Sequence, residues 1–230
     1  MRERSLVVPR PAARALTAAV DIALLTPRDR TLAVLLLRAD SRARDRWLLP
    51  WDAPRHDESP EDTALRVSRA VLGSPPAALE QIGAFGDGRR HPGDAQLSIS
   101  FVGLVPHGPA TESINGAWVE IDQLPLLAPR HRAIVDAAVR AVRRRIDQSP
   151  LAFRLLPISF TLSELQAIYE LLLGRPLHKA SFRRALQAAF LVEPTDEWRS
   201  EGRGRPAQLY RYAPRRRRGT RRSVRFDLVE

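Results

Sequence analysis

The chain has 230 residues, a length that accommodates two small domains. Apolar residues make up 44% and charged residues 27% of it, as in ordinary globular proteins with a buried core. Cysteine is absent, which excludes disulfides, thiolate metal ligands and cysteine nucleophiles. Because there is neither a signal-peptide pattern nor an apolar run of about 18 residues, the sequence predicts a cytoplasmic protein outside the membrane.

The formal net charge of +11 is unevenly distributed along the chain. Residues 1–149 hold 21 arginines against 18 acidic residues, whereas residues 150–230 hold 16 arginines and lysines against 8 acidic residues. Codon bias explains why Lys179 is the only lysine, but it does not explain this asymmetry. A basic segment beside a nearly neutral one is typical of a protein that binds the nucleic-acid backbone.

Hydrophobic patterning predicts the elements of the N-terminal part. Apolar runs at 16–25 and 31–37 flank the turn T-P-R-D-R and predict a hairpin with a buried centre. A helix should begin at the cap Ser59, with Pro60 in its first turn, and end at Gly73. Segments 95–105 and 117–124 are expected to be extended, and a long helix is expected over about residues 129–146. The inward faces predicted for these two helices are Ala64, Leu65, Val71 and Leu72 on the first, and Ile134, Ala138, Ala141 and Val142 on the second.

The C-terminal part has the pattern of a winged helix. T-L-S-E at 161–164 matches a capping box, and the helix that it opens should end at Gly174. A second helix is expected over 179–190, followed by two short strands, the last at 208–212. The inward residues predicted for this second helix are Phe182, Leu186, Ala189 and Phe190.

These elements predict a chain of two domains with a tail at each end. Residues 1–15 are expected to be a flexible tail, 16–149 a first domain, and 150–214 a second domain with the winged-helix pattern. D-Q-S-P at 147–150 separates the two domains. Residues 215–230 belong to an arginine-rich segment that predicts a disordered basic tail.

Residues 46–73 resemble the Nudix box and the strand that precedes it. The box consists of Gly, five residues, Glu, seven residues and then Arg-Glu-apolar-x-Glu-Glu-x-Gly. Glu58, Arg66 and Gly73 match this spacing, whereas Asp52 stands at the first glycine.

The glutamates that follow the arginine of the box are replaced. Val67, Ala70 and Val71 occupy their positions, and these side chains offer no oxygen to hold Mg²⁺ against a diphosphate. Glu61 and Asp62 come too early on the helix to substitute. The degenerate box therefore predicts a domain that has no metal site and does not hydrolyse pyrophosphate bonds.

Further motifs follow in order along the chain: F-G-D-G-R-R-H-P-G-D at 85–94, A-W-V-E-I-D-Q-L-P at 117–125, F-T-L-S-E-L-Q-A-I-Y-E-L-L-L-G-R-P-L at 160–177, A-S-F-R-R-A-L at 180–186 and G-R-P-A-Q-L-Y-R-Y at 204–212. With the degenerate box, they resemble the NrtR-like family of Nudix-related transcriptional regulators over residues 16–213. Ser181 and His178 depart from the family, which usually has an asparagine and an acidic residue there.

The resemblance implies an α+β protein in which a Nudix-like α/β/α sandwich is followed by a winged helix-turn-helix. It implies a homodimer on palindromic double-stranded operator DNA and a small-molecule effector such as ADP-ribose, an NAD-related nucleotide or a sugar. No cofactor is expected, and the sequence does not tell a repressor from an activator.

The residues expected to contact DNA lie on the second helix of the winged helix, in the wing turn and at one helix cap. Arginine forks suit guanine edges and phosphates, and a flexible basic turn suits the minor groove or the backbone. These candidates are Thr161, Lys179, Ser181, Arg183, Arg184, Arg203, Arg205 and Tyr210. Thr161 is first a cap, and Tyr210 is an equal candidate for the wing core.

The residues expected to contact the effector combine aromatic faces, which can stack on a base or sugar, with arginines that can clamp a phosphate. These candidates are Trp47, Trp51, Arg55, Arg66, Phe85, Asp87, Arg89 and Arg90. For Trp47 the competing interpretation is a core side chain, and for Arg66 it is a structural salt bridge. The five histidines show no metal-ligand spacing.

Two other functions remain open at this point. The chain could be a residual Nudix hydrolase tethered to nucleic acid, with recruited carboxylates such as Glu58, Glu61 and Asp62. It could also be a structural nucleic-acid-binding protein whose Nudix-like domain only dimerises.

Overall fold

The computed structural model of the chain describes residues 16–28, 31–39, 46–106, 116–146, 150–200 and 206–213. In chain order, its strands and α-helices are β1 (Ala18–Arg28), β2 (Thr31–Arg38), β3 (Trp47–Leu48), β4 (Trp51–Asp52), α1 (Pro60–Leu72), β5 (Ala78–Phe85), β6 (Leu97–Leu104), β7 (Gly116–Glu120), α2 (Pro129–Arg145), β8 (Ser159–Phe160), α3 (Leu162–Leu173), α4 (Lys179–Ala189), β9 (Val192–Arg199) and β10 (Ala207–Tyr212).

The first seven strands form one mixed sheet in the order β3-β2-β1-β6-β5, with β4 paired to β1 and β7 paired to β2. The predicted hairpin is confirmed: β1 and β2 are antiparallel, with Leu25 opposite Val34. β1 continues to Arg28, through residues predicted to form the turn, and pairs in parallel with β6. The strand β5 was not predicted.

The helices α1 and α2 cover opposite faces of this sheet. Side chains alternate along a strand, so that Ile22 and Leu24 lie in the cluster with α1, whereas Ala23 and Leu25 lie in the cluster with α2. The sandwich expected from the resemblance is therefore present. The inward face predicted for α2 is confirmed, because its four residues are buried.

The face that α1 turns inward differs from the prediction. Its buried residues are Thr63, Ala64, Val67 and Ser68, whereas Leu65, Val71 and Leu72 are only half-buried. Because three of these four residues are small, α1 can lie close to the sheet. The predicted cap is correct, since the Ser59 hydroxyl accepts the Asp62 N–H at 3.0 Å.

The C-terminal residues form the expected winged helix. The capping box is complete, with Thr161 and Glu164 each accepting the other's backbone N–H. β8, which precedes α3, joins β9 and β10, which follow α4, in an antiparallel three-stranded sheet of order β8-β10-β9. Phe182 and Leu186 are buried as predicted, but Phe190 is 46% exposed because it adopts a left-handed conformation that ends α4. In the described part of the chain, no helix is long and apolar enough to span a membrane.

One hydrophobic core runs through both parts of the chain. Ile134 and Val142 of α2 belong to the same buried cluster as Leu25 of the large sheet and as Leu165 and Tyr169 of α3. Beside this contact lies a cavity of about 740 Å³, lined on one side by β2 and α2 and on the other by the end of α3. The helix α2 thus contributes to the core of the sandwich and to that of the winged helix.

At the end of α3, the side chain of an arginine from α2 closely approaches the residue that terminates the helix. Gly174 ends the helix in the left-handed conformation, with φ of 70°, and Arg143 of α2 lies directly over it. A Cβ atom placed on Gly174 would lie 2.6 Å from Nη2 of Arg143. Gly73 ends α1 with φ of 73°, but no described atom lies within 4 Å of the corresponding position.

These two glycines provide a matched test of the contact between α2 and α3. Gly73→Ala should lower the free energy of unfolding by about 1 kcal/mol, because alanine disfavours the left-handed conformation. Gly174→Ala should lower the free energy of unfolding slightly more, since the end of the flexible Arg143 side chain must also move aside. Adding Arg143→Ala should remove the additional cost of Gly174→Ala. Urea denaturation measures the free energy of unfolding of each variant in this double-mutant cycle. Equal costs at the two glycines would show that Arg143 does not rest on Gly174.

Candidate functional site

Arg66 is the centre of an ion-pair network at the start of the degenerate Nudix box. Its Nε and Nη2 atoms donate to the two carboxylate oxygens of Glu58 at 2.7 and 2.9 Å, and its Nη1 donates to Asp52 at 2.7 Å. Glu58 also accepts the Thr63 hydroxyl and the backbone N–H of Arg55, both at 3.0 Å. Asp52, which replaces the first glycine of the box, thus supplies a second carboxylate to the same guanidinium.

The hydrogen bonds around Glu58 determine its ionisation. Those from Arg66 and from the Arg55 backbone lower the pKa of Glu58 to about 2. The hydrogen bonds to Glu58 and Asp52 raise the pKa of Arg66 further. Both groups are therefore held in the charged form and paired with each other.

The other effector candidates lie in different parts of the fold, some at the surface and some against the core. Arg55 is exposed beside the Arg66 network, whereas Trp47 and Phe85 pack against the core on the α2 side. Trp47 is half-buried in β3, and the guanidinium of Arg38 lies 5.3 Å from the centroid of its ring. The eight candidates therefore do not form one cluster.

Residues 86–96, here called the β5–β6 loop, hold most of the remaining candidates. Asp87 and Arg89 form an exposed ion pair at its tip. The carbonyl of Arg90 accepts the backbone N–H of Arg130 in α2 at 3.3 Å. Trp51 of β4 packs on this loop, with its ring 4.7 Å from that of His91 in an edge-to-face arrangement.

Sequence reasoning missed a buried polar cluster below this loop. Asp21 of β1, His91 of the loop and His131 of α2 are fully buried. Oδ1 of Asp21 lies 3.0 Å from Nε2 of His91 and 2.9 Å from Nε2 of His131. The three residues are far apart in sequence, so spacing alone does not reveal them. The one available signal was a histidine in line with Ile134 and Ala138 on the inward face of α2.

The two histidines stabilise a negative charge in this cluster. Burial alone would raise the pKa of Asp21, but the hydrogen bonds from His131 and His91 outweigh it and hold this pKa well below its usual range. The second oxygen of Asp21, Oδ2, is buried without a hydrogen-bond partner among the described residues. The carboxylate is therefore ionised and depends on its two imidazole neighbours.

In the winged helix, α4 exposes the predicted basic residues together. Lys179, Arg183 and Arg184 are exposed, and Ser181 is half-buried with its hydroxyl 3.4 Å from Nδ1 of His178. Phe182 anchors the opposite face of the helix, with its ring 5.5 Å from that of Tyr169. The arrangement is that of a fixed helix presenting a cationic face to solvent.

The other DNA candidates have structural roles or lie outside the described residues. The Thr161 hydroxyl caps α3, and Tyr210 is half-buried in β10 opposite Phe160. Arg203 and Arg205 lie in 201–205, outside the described residues, as do the predicted tails at 1–15 and 215–230.

Comparison with known proteins identifies both parts of the chain. Residues 15–138 match the model of the NUDIX domain, and residues 152–212 match that of the NrtR DNA-binding winged helix domain. An ADPR-responsive transcriptional repressor of Acinetobacter baylyi is 31% identical over 203 residues, covering 84% of this chain and 81% of that protein. The chain belongs to the NrtR family.

Solved structures agree with this membership of the NrtR family. The crystal structure of Shewanella oneidensis NrtR with a 27mer DNA has a TM-score of 0.73 and 30% identity, covering 86% of this chain and 94% of that one. A MutT/nudix family protein from Enterococcus faecalis has a TM-score of 0.67 at 20% identity, covering 87% and 89% of the two chains, and shows a shared fold alone.

The low pKa of Glu58 predicts an acid-dependent loss of stability. A carboxylate whose pKa falls on folding stabilises the protein above its unfolded pKa of about 4.5, and this contribution is lost as the pH falls toward 2. Glu58→Gln should therefore lower the free energy of unfolding at pH 7. The variant should also lose less of this free energy than the wild type as the pH falls from about 5 to about 3. Glu61→Gln, at an exposed position one turn away, is the control. Its free energy of unfolding should fall with pH as that of the wild type does. A decline unchanged by Glu58→Gln would contradict the pairing with Arg66.

Proposed function

We propose that this protein is a transcriptional repressor of the NrtR family whose Nudix-like domain binds ADP-ribose without hydrolysing it. The observation that carries the proposal is the combination, on one shared core, of a winged helix with an exposed cationic α4 and a Nudix-like domain whose box has lost its metal ligands. The responsiveness of the Acinetobacter baylyi relative to ADPR supports this choice of effector.

The residues of the box do not fit the magnesium ion that catalytic Nudix domains use. Glu58 already accepts four hydrogen bonds from Arg66, Thr63 and the Arg55 backbone, three of them at Oε2. Val67 is buried against the sheet, and neither Ala70 nor Val71 can coordinate a cation. We therefore assign no hydrolytic step to this domain.

The effector site that we propose combines the two groups of candidates found at the surface of the sandwich. The arginines at 55, 66, 89 and 90 would face the diphosphate, and the aromatic ring of Trp51 would contact the base or sugar. Asp87 would orient Arg89, to which it is paired. We place the effector domain at 16–149 and the DNA-binding domain at 150–214.

The DNA-binding surface that we propose is centred on α4. Lys179, Ser181, Arg183 and Arg184 would enter the major groove, while Arg203 and Arg205 of the wing and the arginines of 215–230 would contact the backbone. Thr161 and Tyr210 would lie at the edge of this surface. One winged helix reads a short half-site, so we propose a homodimer on a palindromic operator.

Ligand binding and hydrolysis can be separated in one set of measurements. ADP-ribose should raise the midpoint of thermal unfolding in proportion to the logarithm of its concentration, because it binds only the folded state. With Mg²⁺ or Mn²⁺ present, the purified protein should leave ADP-ribose intact. Arg66→Ala should reduce the thermal shift, whereas Arg140→Ala, an exposed arginine on α2, should not. Turnover that Glu58→Gln abolishes would instead establish a residual hydrolase.

Operator binding should depend on the arginines of α4. Arg183→Ala or Arg184→Ala should weaken operator binding by about 1–3 kcal/mol and relax sequence preference if the side chain reads a base. Arg140→Ala removes an equal charge from α2 and serves as the control in the mobility-shift assay. Sedimentation of the wild-type complex should find two chains per operator. If neither α4 variant weakens binding, the recognition helix is assigned wrongly.

A further inference from the structure

We infer that Asp21, His91 and His131 form a metal-free polar joint that transmits effector binding from the β5–β6 loop to α2 and hence to the winged helix. This inference rests on the proposed function and assigns positioning roles to three residues that the effector candidates do not include. Asp21 belongs to the central strand of the sheet, and the two histidines belong to the two elements that the joint connects.

The hydrogen bonds that Nδ1 of each histidine accepts determine which ring nitrogen carries the proton. The backbone N–H of Leu49 donates to Nδ1 of His131, and the backbone N–H of Gly93 donates to Nδ1 of His91, each at 3.0 Å. A nitrogen that accepts a hydrogen bond carries no proton, so each neutral ring carries its proton on Nε2. Both Nε2–H groups therefore donate to Oδ1 of Asp21.

This proton arrangement argues against a metal ion, although the spacing of the three atoms suits one. The two Nε2 atoms lie 3.3 Å apart, which is about the ligand separation of a tetrahedral zinc site. A metal would need the lone pair of each Nε2 and would move the ring proton to Nδ1, where it would face a backbone N–H. Histidine ligands of metals normally donate from the second nitrogen to an acceptor, the opposite of what is found here.

The joint is one of several connections that hold the β5–β6 loop to the first turn of α2. The buried guanidinium of Arg130 donates to the Ala95 carbonyl at 2.6 Å. The backbone N–H of Arg130 donates to the Arg90 carbonyl. On the outer side, Trp51 covers His91, and its ring fills the space that a side chain at position 93 would need. A ligand that displaces Trp51 or Arg90 would therefore also shift His91 and Arg130.

The other end of α2 reaches the DNA-binding part. Ile134, Ala138 and Val142 follow His131 along the buried face, and this face continues into the core of the winged helix around Leu165 and Tyr169. A rigid helix transmits a shift of its first turn to its last turn. The joint is thus placed to favour one orientation of α2 until the loop moves.

The positions of the protons can be measured without any effector. In long-range ¹H–¹⁵N spectra of histidine-labelled full-length protein, both rings should show a protonated Nε2 and an unprotonated Nδ1. Adding one equivalent of Zn²⁺ should leave these signals unchanged. Spectra that show a protonated Nδ1, or zinc-induced loss of the proton from Nε2, would overturn the metal-free joint.

Transmission is tested by the ratio of operator Kd values with and without saturating ADP-ribose. In the wild type this ratio should be at least about fivefold, and in His131→Phe it should fall to within about twofold of unity. Ser100→Ala, which alters a buried polar residue opposite Asp21 on β6, should keep the wild-type ratio. A purely structural role would lower stability without changing the ratio.

The outcomes distinguish this inference from the function on which it rests. A wild-type ratio of one overturns the proposed function and the transmission with it. A wild-type ratio that survives His131→Phe overturns the joint alone. If His131→Phe does not fold, because the Asp21 carboxylate loses a partner, the double variant Asp21→Asn/His131→Phe removes the charge as well and is measured in its place.

Discussion

The burial of one continuous face of α2 is the constraint on which both parts of this molecule depend. The residues of that face pack on the large sheet at one end and on the winged helix at the other, so that neither part has a complete core without the helix. Separating them would expose apolar surface at a cost of about 25 cal/mol for each Å². A change in the effector domain should therefore reach the DNA-binding part through altered packing around α2 rather than through a loose linker.

The elements that the sequence predicted well are those whose ends are determined locally. Ser59 and Gly73 delimit α1, and Thr161 and Gly174 delimit α3, because capping and left-handed termination need only neighbouring residues. The strand β5 escaped prediction because its side chains are nearly all half-buried and show no clean alternation. The inward face of α1 was mistaken because Thr63 and Ser68 are buried there in place of larger apolar residues.

The candidate sites also differ in how far the sequence could predict them. The exposed arginines of α4 could be placed from helical periodicity alone, since the buried residues Phe182 and Leu186 fix the orientation of the helix. The buried cluster could not, because Asp21, His91 and His131 meet only after the sheet, the loop and α2 have assembled. Likewise, the division of the effector candidates between two surroundings follows from strand alternation, which places Asp52 and Trp51 on opposite faces.

The burial of Val67 determines what a glutamate at this position of the Nudix box would encounter. The side chain is 7% exposed and lies in an apolar layer with Val20, Ile22 and Leu24. A glutamate returned to this position would bring an unpaired carboxylate into that layer, at a cost of several kcal/mol. A single substitution at position 67 would therefore not be enough to install a metal ligand, because the neighbouring apolar side chains would also have to be replaced.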